Sequence, residues 1–102
     1  MPPDVEQDLD KAVKLFEGCC DKKFKNGCFN LSTLYLQGKG SLPKDMEKAF
    51  QYSKKSCDLG HSWGCINTGI MYSKGEGVEQ NEELAKKYKE QGKKLEGLGA
   101  DQ

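Results

Sequence analysis

With 102 residues, a mean hydropathy of −0.81 and 31% charged side chains, the chain has room for one small domain with a thin apolar core. Sixteen lysines balance sixteen carboxylates and arginine is absent, so the side chain best suited to forked contacts with phosphates and base edges is missing and nucleic acid is not an expected partner. No apolar run approaches the roughly 20 residues of a membrane span, and Met1-Pro2-Pro3-Asp4-Val5-Glu6 resembles neither a secretory signal nor an Arg-rich presequence.

The elements expected along the chain are all helical. Asp8 is placed to cap a first helix over Leu9–Cys20, where Leu9, Ala12, Phe16 and Cys20 follow helical spacing. Asn26-Gly27 then breaks the pattern before a second helix, Cys28–Gln37, whose apolar face is Leu31, Leu34 and Tyr35. Gly38-Lys39-Gly40 ends it by tolerating positive φ. Ser41-Leu42-Pro43-Lys44 leads to Asp45, the expected cap of a third helix carrying Ala49, Phe50, Tyr52 and Cys57. Gly60 stops that helix, Gly64–Tyr72 forms the fourth, and Gly75-Glu76-Gly77 repeats the earlier terminator. A fifth helix runs from about Asn81 to Lys94, with Leu84, Ala85, Tyr88 and Leu95 facing inward, and the tail 97–102 is expected to fray.

Much of the second half rewrites the first. Cys20-Asp21 to Gly27-Cys28 returns as Cys57-Asp58 to Gly64-Cys65, thirty-seven residues on, and in that register Ala12 lies over Ala49, Leu15 over Tyr52, Leu31 over Thr68 and Tyr35 over Tyr72. A third, partial copy begins one residue early at Asn81, placing Ala85 and Tyr88 over Ala49 and Tyr52. Such a period implies an all-α solenoid of αα-hairpins, about two and a half repeats and five helices: repeat 1 over 8–44, repeat 2 over 45–80 and a capping helix over 81–95. Loops of about four to seven residues make neighbouring helices antiparallel. Gly69 falls in mid-helix, where glycine costs about 1 kcal/mol relative to alanine, and this indicates close approach of a neighbouring helix.

Each cysteine pair, Cys20 with Cys28 and Cys57 with Cys65, brackets a turn. On one continuous helix an eight-residue separation would hold the Cα atoms about 12 Å apart, too far for a bond, whereas across a hairpin they approach to roughly 5 or 6 Å. Each pair is therefore expected to staple its own hairpin, contributing about 2.5 kcal/mol in the loop-closure description. The competing readings are four reduced cysteines packed as small apolar residues, or a zinc site, which the absence of any Cys-x-x-Cys disfavours. Cys19 is left over opposite Ser56, as a free thiol or as one half of an intermolecular bond.

The string Ala-x-x-Tyr-x-x-x-x-Cys-Asp-Leu-Gly-His, then Gly-Cys, Gly-x-Met-Tyr and Gly-x-Gly-Val over Ala49 to Val78, resembles a Sel1-like repeat. The Cys-x7-Cys spacing resembles two cysteine-rich branches, bacterial secreted proteins of the Helicobacter type and the animal cytochrome c oxidase assembly factors built from Sel1-like repeats. Cys28-Phe29-Asn30-Leu31-Ser32, Pro43-Lys44-Asp45-Met46 and Lys55-Ser56-Cys57-Asp58-Leu59-Gly60-His61 are similar to the last two repeats of the second branch, over about Asp8 to Leu95. That resemblance implies a protein of the mitochondrial intermembrane space, oxidised by the import disulfide relay oxidoreductase and engaged with assembly intermediates of respiratory complexes, chiefly complex IV. The first branch implies a secreted or periplasmic protein with a β-lactamase-like label.

Catalytic signatures are sparse. Ser41-x-x-Lys44 matches the lactamase Ser-x-x-Lys, but it lies in a loop and no Ser-Asp-Asn or Lys-Thr-Gly accompanies it. The single histidine, His61, is expected to be a turn and helix-entry residue; haem or metal ligation is its alternative, and haem binding has been proposed for the assembly-factor family. Gly38-x-Gly40 and Gly75-x-Gly77 follow helices instead of opening them, unlike nucleotide loops, and the lysines from Lys86 to Lys94 form a solvated face. The expected function is that of a non-enzymatic scaffold without cofactor, with a thiol-redox or haem-linked role as the alternative.

Overall fold

The computed structural model describes residues 5–38 and 42–100, and among these every regular element is an α-helix. The helices α1 (Val5–Asp21), α2 (Lys25–Gln37), α3 (Met46–Asp58), α4 (Ser62–Lys74) and α5 (Glu82–Ala100) pack in chain order, each against the next. Two hairpins, α1–α2 and α3–α4, stack side by side with α5 on the far flank, in a slab of 47 × 34 × 22 Å. This is the αα-hairpin solenoid that the period implies.

The loops that carry the chain from one hairpin to the next close in the same way. The side chains of Asp45 and Asn81 accept from the N–H groups of Lys48 (3.1 Å) and Leu84 (3.0 Å), satisfying donors that the helix itself leaves unpaired. The N–H groups of Asp45 and Asn81 donate to the carbonyls of Tyr35 and Tyr72, each at 3.0 Å. Gly38 and Gly75 end α2 and α4 in the left-handed conformation, at φ 60° and 70°.

Several boundaries differ from the expectation. Helix α1 starts at Val5, so Asp8 lies within it; Glu6 and Gln7 are good helix formers and nothing in that stretch breaks the helix. The first hairpin turns at Lys22-Lys23-Phe24 and not at Asn26-Gly27, with Lys23 at φ 68° where the second hairpin has Gly60 at φ 96°. Helix α4 starts at Ser62, two residues before the expected Gly64. The fifth helix does not fray at Gly97 but continues to Ala100, because in the third copy Glu96 falls where Gly60 breaks the second. Lys39, Gly40, Ser41 and the last two residues of the tail lie outside the described residues.

The core is thin. Leu31, Tyr35, Ala49 and Met71 form its centre, with Val13, Phe16, Phe50 and Tyr52 half-buried around them. Leu31 is the largest wholly buried side chain, and the four hairpin cysteines, at 0–1% exposure, occupy places that aliphatic residues would take in a thicker domain.

Candidate functional site

The two turns are built alike. Cys20 is bonded to Cys28 and Cys57 to Cys65, with Cα separations of 4.6 and 4.4 Å, closer than the 5 or 6 Å expected. Gly27 and Gly64 permit that approach. A Cβ on Gly27 would stand 2.5 Å from the Cβ of Cys19, and one on Gly64 would overlap the Oγ of Ser56. Glycine therefore lets the two helices touch and the neighbouring cysteine ties them. Gly27 is a close-contact glycine and not the expected turn residue, since glycine signals a turn or a close contact equally well. Thiol–disulfide exchange needs an accessible sulfur, so the buried bonds have the setting of structural staples. With each cysteine bonded inside its own hairpin, no four-thiolate zinc set remains.

A second recurrent feature lies where one hairpin meets the next helix. Tyr35 of α2 stacks on Tyr52 of α3, with ring centroids 6.0 Å apart, and Tyr72 of α4 stacks on Tyr88 of α5 at 5.6 Å. Phe50 meets Tyr72 edge-on at 5.1 Å, and the Lys48 ammonium stands 5.3 Å over the Tyr35 ring. Burial, reinforced by Tyr35, Glu17 and Asp21, raises the pKa of the Tyr52 phenol and keeps it neutral. The sequence register places Leu15, Tyr52 and Tyr88 at one position of successive odd-numbered helices, so together they form a row across the slab. Gly69 works as its position indicated: a Cβ there would lie 2.7 Å from the Ala85 carbonyl oxygen.

At the turn end of the slab is a cleft of about 340 Å³, lined by Lys25, His61, Ser62, Trp63, Leu95 and Glu96 among others. It exists because α5 overruns the level at which the two hairpins turn. Trp63 is 53% exposed beside it, a feature the sequence did not single out. His61 caps α4: its Nδ1 accepts from the Gly64 N–H at 3.1 Å, and its ring stacks on Phe29 at 4.3 Å. Burial, then the Lys25 ammonium, lowers its pKa, which favours the neutral ring that the cap requires. With Nδ1 accepting, Nε2 carries the proton. A haem iron or other metal would need a lone pair available only at the expense of the cap or of that tautomer, so these residues do not fit a haem site.

The remaining candidates are scattered. Cys19 is a half-buried free thiol on α1, at the position of the wholly buried Ser56. Ser41 lies outside the described residues and Lys44 is an exposed residue between α2 and α3. The lysines of α5 are mostly exposed, with Lys89 Nζ 3.4 Å from Ser73 Oγ. Among the described residues no three of His, Cys, Asp or Glu are grouped as a metal site, and no helix is long and apolar enough to cross a membrane.

The Sel1 repeat pattern matches residues 3–17, 26–61 and 64–93. The chain belongs to the Sel1 repeat family. Each of the two longer Sel1 matches begins in an even-numbered helix and runs through the helix that receives it, α2 with α3 and α4 with α5, so the tyrosine stacks lie within the Sel1 unit. Sel1 repeats are protein-binding units, and a protein-interaction scaffold is the role that goes with this architecture. Among known structures, Helicobacter pylori cysteine rich protein B is similar, with a TM-score of 0.82 and 34% identity over 85% of this chain and 65% of its own. HcpC from two Helicobacter pylori strains, which carries a provisional beta-lactamase name, is 57% and 54% identical over 35 residues. That match covers 34% of this chain and 12% of HcpC, and the match to cysteine rich protein B spans 65% of that protein.

Proposed function

We propose that this protein is a non-enzymatic binding scaffold that acts in the mitochondrial intermembrane space during assembly of respiratory complexes, chiefly cytochrome c oxidase. The observation that carries this reading is the pair of buried, cystine-stapled hairpins: they hold a rigid surface on which the apolar side chains of Leu15, Phe24 and Trp63 stand exposed, as contact with another protein would use them. The strings around Cys28, Pro43 and Cys57 support the assembly-factor branch, and buried cystines accord with an oxidising compartment and an import relay that forms them. Respiratory-complex intermediates are the proposed partners.

The identity to HcpC favours a second reading, a secreted or periplasmic cysteine-rich protein with hydrolytic chemistry. Ser41-x-x-Lys44 is the sole matching element of that chemistry, and the sequence contains no Ser-Asp-Asn or Lys-Thr-Gly to accompany it. The test combines two measurements. Loss of the protein should lower assembled complex IV on native gels, and the purified chain should not hydrolyse a chromogenic β-lactam. Hydrolysis that Ser41→Ala abolishes, with complex IV unchanged on loss of the protein, would establish the second reading in its place.

A further inference from the structure

The edge of α1 that turns toward α3 repeats the edge of α3 that turns toward α5, with one change of charge. On α3 the row Phe50, Lys54 and Asp58 advances four residues at a time and so runs along one side of the helix. Phe50 meets Tyr72 edge-on at 5.1 Å, and the Lys54 ammonium stands 3.2 Å from Asp58 Oδ2. The bond to Asp58 raises the Lys54 pKa, with the Tyr88 and Tyr72 phenols acting in the same sense and burial against it, so the ammonium lies beside the stacked Tyr72–Tyr88 pair. Thirty-seven residues earlier the row reads Val13, Glu17 and Asp21, beside the stacked pair Tyr35–Tyr52. Val13 packs on the core, as Phe50 does. Glu17 and Asp21 are exposed, and after burial and Tyr35 they help to raise the Tyr52 pKa, so both carboxylates open on the same groove as that phenol.

The groove between α3 and α5 thus holds one ammonium and one carboxylate, whereas the groove between α1 and α3 keeps the aromatic pair and holds two carboxylates. Among the described residues the ion pairs are Lys54–Asp58 and Lys74–Glu76, so neither Glu17 nor Asp21 is paired with a lysine. Lys48, whose ammonium covers the Tyr35 ring, stands at the level of Lys11, about 9 Å along the helix direction from Glu17. We infer that the groove between α1 and α3 binds an arginine side chain of a partner protein, held by Glu17 and Asp21 beside the Tyr35–Tyr52 stack in the place that Lys54 fills one groove on. This deepens the scaffold reading and rests on it. Both walls of the groove are helices of the structure, and the row on α1 points toward α3, away from the flank on which any preceding helix would stack. Two carboxylates beside aromatic rings call for a cation, and a guanidinium suits them best, since its planar fork can meet both acids and lie on a ring face. The chain contains no arginine, so the group comes from another protein and not from a second copy.

The probe is an alanine-based helical peptide with arginines four residues apart, titrated into the oxidised full chain at low salt, with the arginine-to-glutamine peptide as its blank. Saturable binding of the first peptide alone is expected, with amide shifts centred on Val13, Glu17, Asp21 and Tyr52. Glu17→Lys restores the charge pattern of the second groove, so the introduced ammonium fills the site; this exposed substitution should leave the circular dichroism unchanged and weaken binding by about tenfold or more. Asp21→Asn should weaken it roughly twofold to fivefold. Glu90→Lys, the same charge change at the corresponding position of α5, should alter binding by less than about twofold. Absence of binding, equal losses from Glu17→Lys and Glu90→Lys, or shifts centred on the acidic start of α5 would overturn the inference. So would displacement of the peptide by an equal concentration of calcium, since the carboxylates would then be a metal site, or a dimer dispersed by Glu17→Lys, since lysines of a second copy would then fill the groove. Complex IV levels separate this from the function reading: no peptide binding with lowered complex IV on loss of the protein removes the arginine groove alone, and peptide binding with unaffected complex IV removes the assembly role alone.

Discussion

Replacing Gly64 by alanine puts the hairpin geometry to a quantitative test. In an unobstructed helix the change would stabilise the protein by about 1 kcal/mol. At Gly64, however, the new carbon would overlap the Oγ of Ser56 and lie 3.0 Å from its Cβ and 3.1 Å from the Cys57 nitrogen. The chain cannot relax away easily, because the adjacent Cys65 is bonded to Cys57 on that same helix. Overpacking of this kind costs typically 1–3 kcal/mol, here near the upper end since backbone as well as side chain is met. The net expectation is a loss of about 1–2 kcal/mol, or roughly 5–15 °C in melting temperature for a domain of this size. Gly18, with nothing within 4 Å of its added carbon, provides the control: Gly18→Ala should raise stability by up to about 1 kcal/mol. Thermal denaturation of the oxidised proteins by circular dichroism gives both values. In the double variant Gly64→Ala with Ser56→Gly the obstruction is removed, so the two changes should couple favourably by about 1 kcal/mol or more. A Gly64→Ala protein that melts at or above the wild type, or strictly additive variants, would refute the reasoning.

Reduction should lower the melting temperature by roughly 10 °C per disulfide while helix remains the sole regular structure in whatever stays folded; an unchanged melt would show that the core suffices without staples. Non-reducing peptide mapping should recover Cys20 with Cys28 and Cys57 with Cys65, and crossed pairs or four alkylatable thiols would contradict the hairpin assignment. The neutral His61 cap predicts a pH dependence: because its folded-state pKa lies below the usual 6.5, its stabilisation is complete above about pH 6.5 and is lost as pH falls through the folded-state value. His61→Asn, which caps without titrating, should flatten that part of the stability profile, and an equally steep profile in the variant would exclude His61 as its source. Lys23→Gly should stabilise by about 0.5–1 kcal/mol, since lysine at φ 68° carries a left-handed cost that exceeds glycine's entropy; a destabilised variant would show the Lys23 conformation to be supported by contacts of its own.

The period made the architecture legible, because one register accounts for the cysteine pairs, the receiving tyrosines and the terminating glycines at the same time. Turn placement was less legible. Asn26-Gly27 reads as a break, yet Gly27 is buried inside α2 against Cys19 and the turn is made by Lys22-Lys23-Phe24, where no residue type signals positive φ. Comparison with Leu59-Gly60-His61 contains the missing clue, since Lys23 falls opposite Gly60 in the repeat. The length of α5 was hidden for a related reason: the third copy has lost the Gly60 equivalent, and a missing terminator is harder to see than a present one. The stack of His61 on Phe29 and the cleft beside Trp63 join different hairpins, and no spacing within one repeat encodes them.

The most direct test of the account is to identify what a photo-crosslinking residue at position 15 contacts in intact mitochondria, with the same residue at position 87 on the outer face of α5 as the reference. The account predicts that position 15 crosslinks to a complex IV subunit or assembly intermediate and that position 87 does not. Equal background from both positions, together with normal complex IV in cells lacking the protein, would contradict it.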